Sequence, residues 1–401
     1  MLQIMALALL AFQPVDDFAI STANRLALTP RLDGIIETEE WDALAEYQGI
    51  NSFMQWEPGS LYLAGRVPNG KGALISLDLN GDGWLVGNDN IEILVTPSLR
   101  VRRLVENKQD GANWDSTPFL SDLVRVASAN GNQFWSFETK VLDAGIAEFK
   151  SGKNIGVRVE AVDPAAAENP AYYPRRVQTV NLAMDRSFNL PEGVEWSPEF
   201  AARTVTPGQG IKLRLTFKNK GEINLGRIDL RTLGAAASFT STKNLPFPGF
   251  DKKKRAFVDY EANVTSGAPL GYTLLNARVT REDGVESLIQ SSYSISEVLQ
   301  VEPKLKVEKG DVGAPRMISG DLILRSNTTN RLKGKLFLDV PTGWSVRRGN
   351  DANVSIFNSR GISRQRVEII LPAGVQGLTP IPVRVQIGDR AVTQTVYVIV
   401  P

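Results

Sequence analysis

Residues 73–95, ALISLDLNGDGWLVGNDNIEILV, join two short apolar segments through a loop rich in Asp, Asn and Gly. The segments 73–77 and 91–95 are rich in aliphatic and β-branched residues with a mostly two-residue period, which predicts strands. Between them, residues 78–89 follow the spacing of a calcium loop. We therefore expect a strand, a metal-binding loop and a second strand, without the helices that flank an EF-hand.

Oxygen-bearing side chains recur along this loop at the positions that a hard divalent cation requires. Gly83 stands where such a loop turns sharply, and the backbone carbonyl of Trp84 can complete the ring of ligands. The predicted cofactor is Ca²⁺, with these ligands: Asp78, Asn80, Asp82, Trp84 and Asp89. The alternative is an empty hairpin turn, since Asn, Asp and Gly tolerate positive φ. Repulsion among the acidic groups in the absence of a cation favours calcium.

Length and composition indicate a soluble protein of two or three domains. The chain has 401 residues, of which 42% are hydrophobic, and 45 basic residues balance 44 acidic ones for a net charge of +1. This balance provides no attraction to nucleic acid or to an anionic membrane. With no histidine and no cysteine, the chain lacks a Ser-His-Asp triad, a thiol nucleophile, disulfides and structural zinc. We expect no enzyme activity; catalysis by carboxylates alone, as in most glycosidases, is the weaker alternative.

The N-terminus resembles an export signal. Residues 1–12 form an apolar run that is too short to span a bilayer, and Pro14 and Asp16-Asp17 end it abruptly. We expect a signal peptide over residues 1–15 and a secreted, periplasmic or cell-surface bacterial protein without a membrane span in its mature chain. The alternative is a first strand or a buried helix.

Short alternating segments at regular spacing predict an antiparallel β-sandwich over residues 16–190. One helix is expected in this region, capped by Thr38, with Trp41 and Leu44 on its buried side. The predicted strands of the first sandwich are 61–67, 73–79, 91–96, 123–127, 134–141, 155–162 and 177–182.

Three parts of this region resemble the family 9 carbohydrate-binding modules (CBM9-like, related to DOMON domains). They are Pro30-Arg31-Leu32-Asp33-Gly34 with the later Glu40-Trp41, the acidic segment ending in Asp89-Asn90-Ile91-Glu92-Ile93, and Trp135-Ser136-Phe137-Glu138. The resemblance spans roughly residues 25–185. It implies a β-sandwich that holds calcium and binds sugar between aromatic rings.

Two further all-β domains are predicted, over residues 191–299 and 300–401. After a Pro-rich connector at 191–198, residues 211–219 alternate strictly, with Ile211, Leu213, Leu215 and Phe217 facing one way. This pattern, and Pro341-Thr342-Gly343-Trp344 in the second stretch, resemble bacterial immunoglobulin-like domains of the NEW3 type. The expected fold class is therefore all-β, an N-terminal antiparallel β-sandwich followed by two immunoglobulin-like β-sandwiches.

Candidate ligand contacts are aromatic residues in segments that resemble loops, because sugars present apolar C–H faces ringed by hydroxyl groups. They are Trp56, Trp84, Trp114 and Tyr172. The alternative is that these aromatic residues belong to the hydrophobic core. The expected function is an exported, non-catalytic carbohydrate-binding protein whose partner is a polysaccharide or glycan. The alternative is a structural or adhesive surface protein that binds a cell-surface protein.

Overall fold

The structure is a computed structural model that describes most of the chain. It describes residues 23–37, 40–47, 49–83, 89–96, 100–108, 111–115, 123–143, 148–165, 177–220, 225–233, 243–246, 255–281, 284–357 and 361–401. In these ranges there are twenty-nine strands and no helix. The predicted all-β class is confirmed. Nothing in the described part is a helix with the length and apolarity that crossing a bilayer requires. The predicted signal peptide, residues 1–15, lies outside it.

Two sheets form the first sandwich. The seven-stranded sheet has the order β1 (Ala23–Leu26), β12 (Gln178–Ala183), β11 (Asn154–Val162), β5 (Gly72–Asp78), β6 (Asn90–Val95), β7 (Arg100–Lys108) and β8 (Gly111–Asp115). The five-stranded sheet has the order β2 (Asp42–Tyr47), β3 (Ile50–Glu57), β4 (Ser60–Pro68), β10 (Phe134–Leu142) and β9 (Val124–Asn130). All pairings are antiparallel except β1 with β12.

The core of the first sandwich lies between these sheets because each sheet contributes one face of apolar side chains. Strand β5 shows the pattern: Ala73, Ile75 and Leu77 join the core, while Leu74 packs against Leu94 on the other face of the sheet. The strand is therefore buried along its whole length. Because β5 is a central strand covered on both faces, the position of its C-terminal residue, Asp78, is fixed by the sheet.

The second sandwich has two sheets of mostly antiparallel strands. One contains β13 (Asp185–Phe188), β21 (Glu286–Ile295), β20 (Gly271–Arg281), β17 (Leu225–Leu233) and β18 (Lys243–Pro246), with β15 (Thr204–Val205) pairing β21 in parallel. The other contains β14 (Val194–Phe200), β16 (Gly210–Asn219) and β19 (Arg255–Asn263). The predicted alternation of residues 211–219 is confirmed, since Ile211, Leu213, Leu215 and Phe217 all join one core.

The third sandwich packs two four-stranded sheets. The first is β22 (Leu299–Val307), β23 (Arg316–Ser326), β27 (Ile362–Leu371) and β25 (Ser345–Arg348). The second is β26 (Ala352–Ile356), β24 (Leu332–Leu338), β28 (Gly377–Ile387) and β29 (Arg390–Val400). Their apolar faces share one core.

Two local predictions are wrong. The expected helix after Thr38, itself outside the described residues, is instead strand β2, which pairs with β3 over Asp42–Tyr47. Trp41 and Leu44 are buried as predicted, but pairing with a neighbouring strand outweighs the local helix signal. The Pro-rich connector at 191–198 contains most of strand β14, which pairs with β16; its Trp196 packs against the second core.

The sandwiches are joined directly to one another. Only Met184 separates β12 of the first from β13 of the second. Leu26, Leu28 and Ala183 of the first sandwich form a small buried cluster with Leu274 of the second. Such a short connection with apolar packing across it holds the first two sandwiches in a defined relation.

Candidate metal centre

The predicted calcium loop connects two neighbouring strands of the seven-stranded sheet. Strand β5 ends at Asp78, which is paired in register with Asn90 at the start of β6. The Leu79 N–H donates to the Asp89 carbonyl at 3.1 Å and continues the ladder into the loop. The two expected strands are therefore confirmed, and the metal-binding loop between them stays a prediction. Residues 84–88, including Trp84, lie outside the described part.

The Asp78 carboxylate organises the N-terminal half of the loop. It is fully buried, and its Oδ1 and Oδ2 accept hydrogen bonds from the Gly81 and Gly83 N–H groups, each at 2.8 Å. Both glycines have positive φ, 77° and 91°, a conformation that L side chains rarely adopt. These glycines turn the backbone so that its N–H groups point at the carboxylate.

The loop is pressed against strands β11 and β12. A Cβ on Gly156 would stand 2.7 Å from Asp78 Oδ2, and one on Gly81 would stand 2.6 Å from the Asn154 carbonyl oxygen. The Val177 N–H donates to the Gly83 carbonyl at 3.1 Å. Because these glycines carry no side chain, the loop can pack close to the sheet.

The charges of Asp82 and Asp89 act on the Asp78 carboxylate. Burial raises the pKa of Asp78, the N–H groups of Gly83 and Gly81 lower it, and the nearby Asp82 and Asp89 raise it. Neighbouring like charges have this effect because they disfavour the ionised form. A divalent cation at this place would remove the repulsion.

Among the described residues of the loop, Asp89 has a buried oxygen without a hydrogen-bond partner. Asp89 Oδ2 is buried and accepts no hydrogen bond, which is costly for a carboxylate unless something else neutralises it. Nearby, Asn80 Oδ1 accepts from the Asp82 N–H at 2.8 Å, and Asn80 Nδ2 donates to Asp82 Oδ2 at 3.2 Å. All these groups offer the hard oxygen ligands that Ca²⁺ prefers.

The donor set fits calcium only if it includes neutral oxygens. Within the described ranges, no three acidic side chains by themselves form a group that could hold a metal ion. Asp78, Asp82 and Asp89 would therefore need the Asn80 amide oxygen and a backbone carbonyl to complete a coordination shell. These residues would hold the cation, and its chemistry would be charge neutralisation and bracing of the β5–β6 hairpin.

A second buried carboxylate, Glu138, gathers the motif residues that are far apart in sequence. Glu138 Oε2 accepts from the N–H groups of Asp33 at 2.8 Å and Gly34 at 2.6 Å. Ser136 Oγ donates to the Gly34 carbonyl at 2.6 Å. Gly34 has φ of 87°, and a Cβ there would stand 2.6 Å from the Ser128 carbonyl carbon. The Asp33-Gly34 turn is thus fastened to β10 through a glycine that no other residue can replace without strain.

Burial raises the pKa of Glu138, against the lowering effect of the Gly34 and Asp33 N–H groups and the Trp41 indole N–H. Neither Glu138 Oε1 nor Trp41 Nε1 has a partner of full hydrogen-bond geometry, although both are buried. Burial and the charges of Glu37 and Glu138 also raise the pKa of Glu40. This network was not predicted as a site. Its sequence signal was the motif Trp135-Ser136-Phe137-Glu138, without any indication of what Glu138 contacts.

Of the four predicted ligand residues, Trp56 and Trp114 lie in the described part of the chain. Trp56 has 0% exposure and lies in strand β3, where its Nε1 donates to the Arg25 carbonyl at 2.6 Å. Its assignment as a loop residue that contacts ligand is therefore wrong. Trp114 lies in strand β8 at the edge of its sheet, and not in a loop. Trp84 and Tyr172 lie outside the described residues.

A polar cluster on the outer face of the five-stranded sheet joins the first and second sandwiches. Glu57 accepts hydrogen bonds from Tyr62 Oη at 2.5 Å, from Lys140 Nζ at 2.9 Å and from Thr29 Oγ1. Thr29 also donates its N–H to the Tyr272 carbonyl at 3.1 Å. Burial and the Glu57 charge raise the pKa of Tyr62, so this phenol stays protonated. The cluster is an inter-sandwich contact and not an activated nucleophile.

No family model and no curated protein match this sequence. Among solved structures, the chain is similar to a family 9 carbohydrate-binding module from Caldicellulosiruptor kristjanssonii in complex with cellotriose: 12% identity, 41% of this chain, 94% of that chain, TM-score 0.29. The corresponding values for such a module from the same organism in complex with glucose are 13%, 40%, 95% and 0.27. For red sea bream transglutaminase they are 12%, 52%, 31% and 0.26. Similarities this low establish neither a family nor a function for the chain.

Proposed function

We propose that this chain is an exported, non-catalytic carbohydrate-binding protein whose first sandwich is braced by calcium. The observation that carries the ligand class is the convergence on Glu138 of the sequence motifs that resemble the carbohydrate-binding modules. Asp33, Gly34, Trp41 and Ser136 all meet around this carboxylate or its turn. Residues so far apart in sequence act as one unit, which supports reading them as the signature of one kind of module.

The calcium part is supported by the loop itself. Asp78 lies at the end of a buried central strand, and burial together with the charges of Asp82 and Asp89 raises its pKa. Asp89 Oδ2 is buried without a hydrogen-bond partner in the described part of the chain. A cation that is coordinated by these oxygens would supply the missing neutralisation.

A non-catalytic role is supported by the way the carboxylates are used. Glu57 accepts three hydrogen bonds, and Glu138 Oε2 accepts two backbone N–H groups. These carboxylates fasten the fold. Acid–base catalysis on a glycoside requires two carboxyl groups that face each other across the sugar.

The function is tested by affinity electrophoresis of the full chain in calcium. Native gels contain one soluble neutral polysaccharide each, namely hydroxyethylcellulose, a soluble xylan or a soluble starch, and serum albumin serves as the unretarded reference. We expect at least one gel to retard the chain, without release of reducing sugar. Unretarded migration in every gel would overturn carbohydrate binding and favour the surface protein that recognises a protein partner. Release of reducing sugar would overturn the non-catalytic assignment.

A further inference from the structure

A large cleft separates the first sandwich from the third. Pro58, Gly59, Leu142 and Asp143 line it on the side of the first sandwich. Strands β22 and β29 line it on the side of the third, and the cleft has a volume of about 1150 Å³. This exceeds the roughly 300–1,000 Å³ of pockets for drug-sized ligands. The cleft therefore has room for a ligand larger than a single small molecule.

The charges that line the cleft cancel. Asp143 and Glu302 are acidic, while Lys306 and Arg325 are basic. Arg325 Nη2 lies 3.5 Å from Glu302 Oε2, and both side chains are about half exposed. A polyanion or a polycation would meet as much repulsion as attraction here, so the lining favours a neutral ligand.

The uncharged part of the lining has the chemistry that binds sugars. Tyr397 on β29 is 39% exposed and offers an aromatic face, while Gln300 and Thr395 offer hydrogen-bond donors and acceptors. Sugars combine an apolar C–H face with a rim of hydroxyl groups, and an amphipathic ring beside amides and hydroxyls complements both.

The sheet edges at the cleft are poorly suited to an added peptide strand. Strand β22 is at the edge of its sheet, but the Gln394 side chain already binds the Val301 N–H and carbonyl, at 2.8 and 3.0 Å. Further along, Pro303 lacks an N–H, and Lys304 and Lys306 are exposed. Proline and lysine on an edge strand discourage strand addition, so a peptide that pairs with β22 is disfavoured.

Building on the proposed carbohydrate-binding function, we propose that a neutral oligosaccharide of several sugar rings binds in this cleft. One ring lies on Tyr397 beside Thr395, and Gln300, Glu302 and Arg325 bond hydroxyl groups of other rings. The first sandwich lines the other side of this site through Pro58, Gly59, Leu142 and Asp143.

The test is isothermal titration calorimetry of the full chain with cellohexaose, xylohexaose and maltohexaose as neutral probes and hexagalacturonate as the anionic one. We expect a neutral probe to bind, and Tyr397→Ala to weaken that binding about tenfold or more, because the stacking surface is lost. Tyr397→Phe keeps the ring and should bind within about threefold of wild type. Phe357→Ala removes a 63% exposed aromatic of the same sandwich outside the cleft lining and should change nothing.

Three other results would overturn the proposal. If a neutral probe binds and Tyr397→Ala binds as tightly as wild type, the cleft is not the site, although the chain still binds carbohydrate. If Trp114→Ala loses binding and Tyr397→Ala retains it, the site lies on the first sandwich. If no probe binds the full chain, the cleft proposal and the proposed function both fail. The circular dichroism spectrum of each variant must match wild type, and Gln300→Ala with Thr395→Ala provides a second cleft variant.

Discussion

The first and third sandwiches use carboxylates in opposite ways. In the first, Asp78 and Glu138 are fully buried, and burial raises the pKa of each. In the third, Asp339 lies at the surface and accepts two hydrogen bonds from Arg384, from Nε at 2.9 Å and from Nη2 at 3.0 Å. The hydrogen bonds and charge of Arg384 lower the pKa of Asp339.

The two environments differ in how much folding free energy a carboxylate costs. A carboxylate removed from water and left with an unpartnered oxygen costs folding free energy, as at Asp89 Oδ2 and Glu138 Oε1. An exposed Arg–carboxylate pair contributes little in either direction. Natural proteins keep such costly arrangements mainly at functional or constrained sites. The first sandwich therefore contains buried carboxylates that cost folding free energy, whereas Asp339 of the third is paired at the surface.

The largest expected effect comes from removing the buried carboxylate of Glu138. Glu138→Ala leaves the Asp33 and Gly34 N–H groups without their acceptor and should destabilise the first sandwich by about 2–4 kcal/mol. Asp339→Ala in the third should cost about 0–1 kcal/mol. Denaturant unfolding of the full chain, with hydrogen exchange to locate the loss, measures both. Glu138→Gln retains an acceptor oxygen and should lose less. Equal losses for Glu138→Ala and Asp339→Ala would contradict the contrast.

An intermediate effect is expected from calcium. In calcium at about one hundred times its dissociation constant, the wild type should gain roughly 2.7 kcal/mol. Asp82→Ala should lose most of that gain and melt earlier, yet match the wild type in chelator because no ion is left to lose. Differential scanning calorimetry in both buffers measures this, with Asp339→Ala as the control that calcium does not affect. Identical wild-type melting with and without calcium would refute the metal assignment.

The smallest effect is a dependence on pH of opposite sign in the two regions. The raised pKa of Glu138 contributes stability below the ordinary carboxyl pKa that is lost as pH rises through the raised folded value. The lowered pKa of Asp339 contributes stability above the ordinary value that is lost as pH falls through the lowered folded value. From about pH 3 to pH 6, the unfolding free energy of wild type minus that of Glu138→Gln should fall. The unfolding free energy of wild type minus that of Asp339→Asn should rise. Urea unfolding at each pH measures both. Parallel trends would contradict the opposed environments.

Strands with clear alternation could be predicted from sequence, and those decided by pairing could not. Residues 211–219 alternate because one face of β16 is buried, and a local pattern carries that information. Residues 42–47 form β2 because β3 lies beside them, and no local pattern carries that fact. Trp56 was misplaced because Pro58-Gly59 follows it so closely, yet the turn begins only after Glu57.

The acidic loop after β5 was predictable because its Asp, Asn and Gly residues lie within twelve consecutive positions and form a local pattern; calcium binding by this loop stays a prediction. The network around Glu138 and the cleft at Tyr397 could not be predicted from the sequence. Glu138 and Gly34 are 104 positions apart, and the cleft joins residues of two sandwiches.

The order of the residues by itself determined the all-β class, most of the strands and the acidic loop, because each depends on neighbours along the chain. Only the tertiary structure decided which tryptophan is buried, which carboxylate is removed from water and which two sandwiches enclose a cleft. Burial and enclosure depend on segments that are distant in sequence, and no local spacing records which of them will meet.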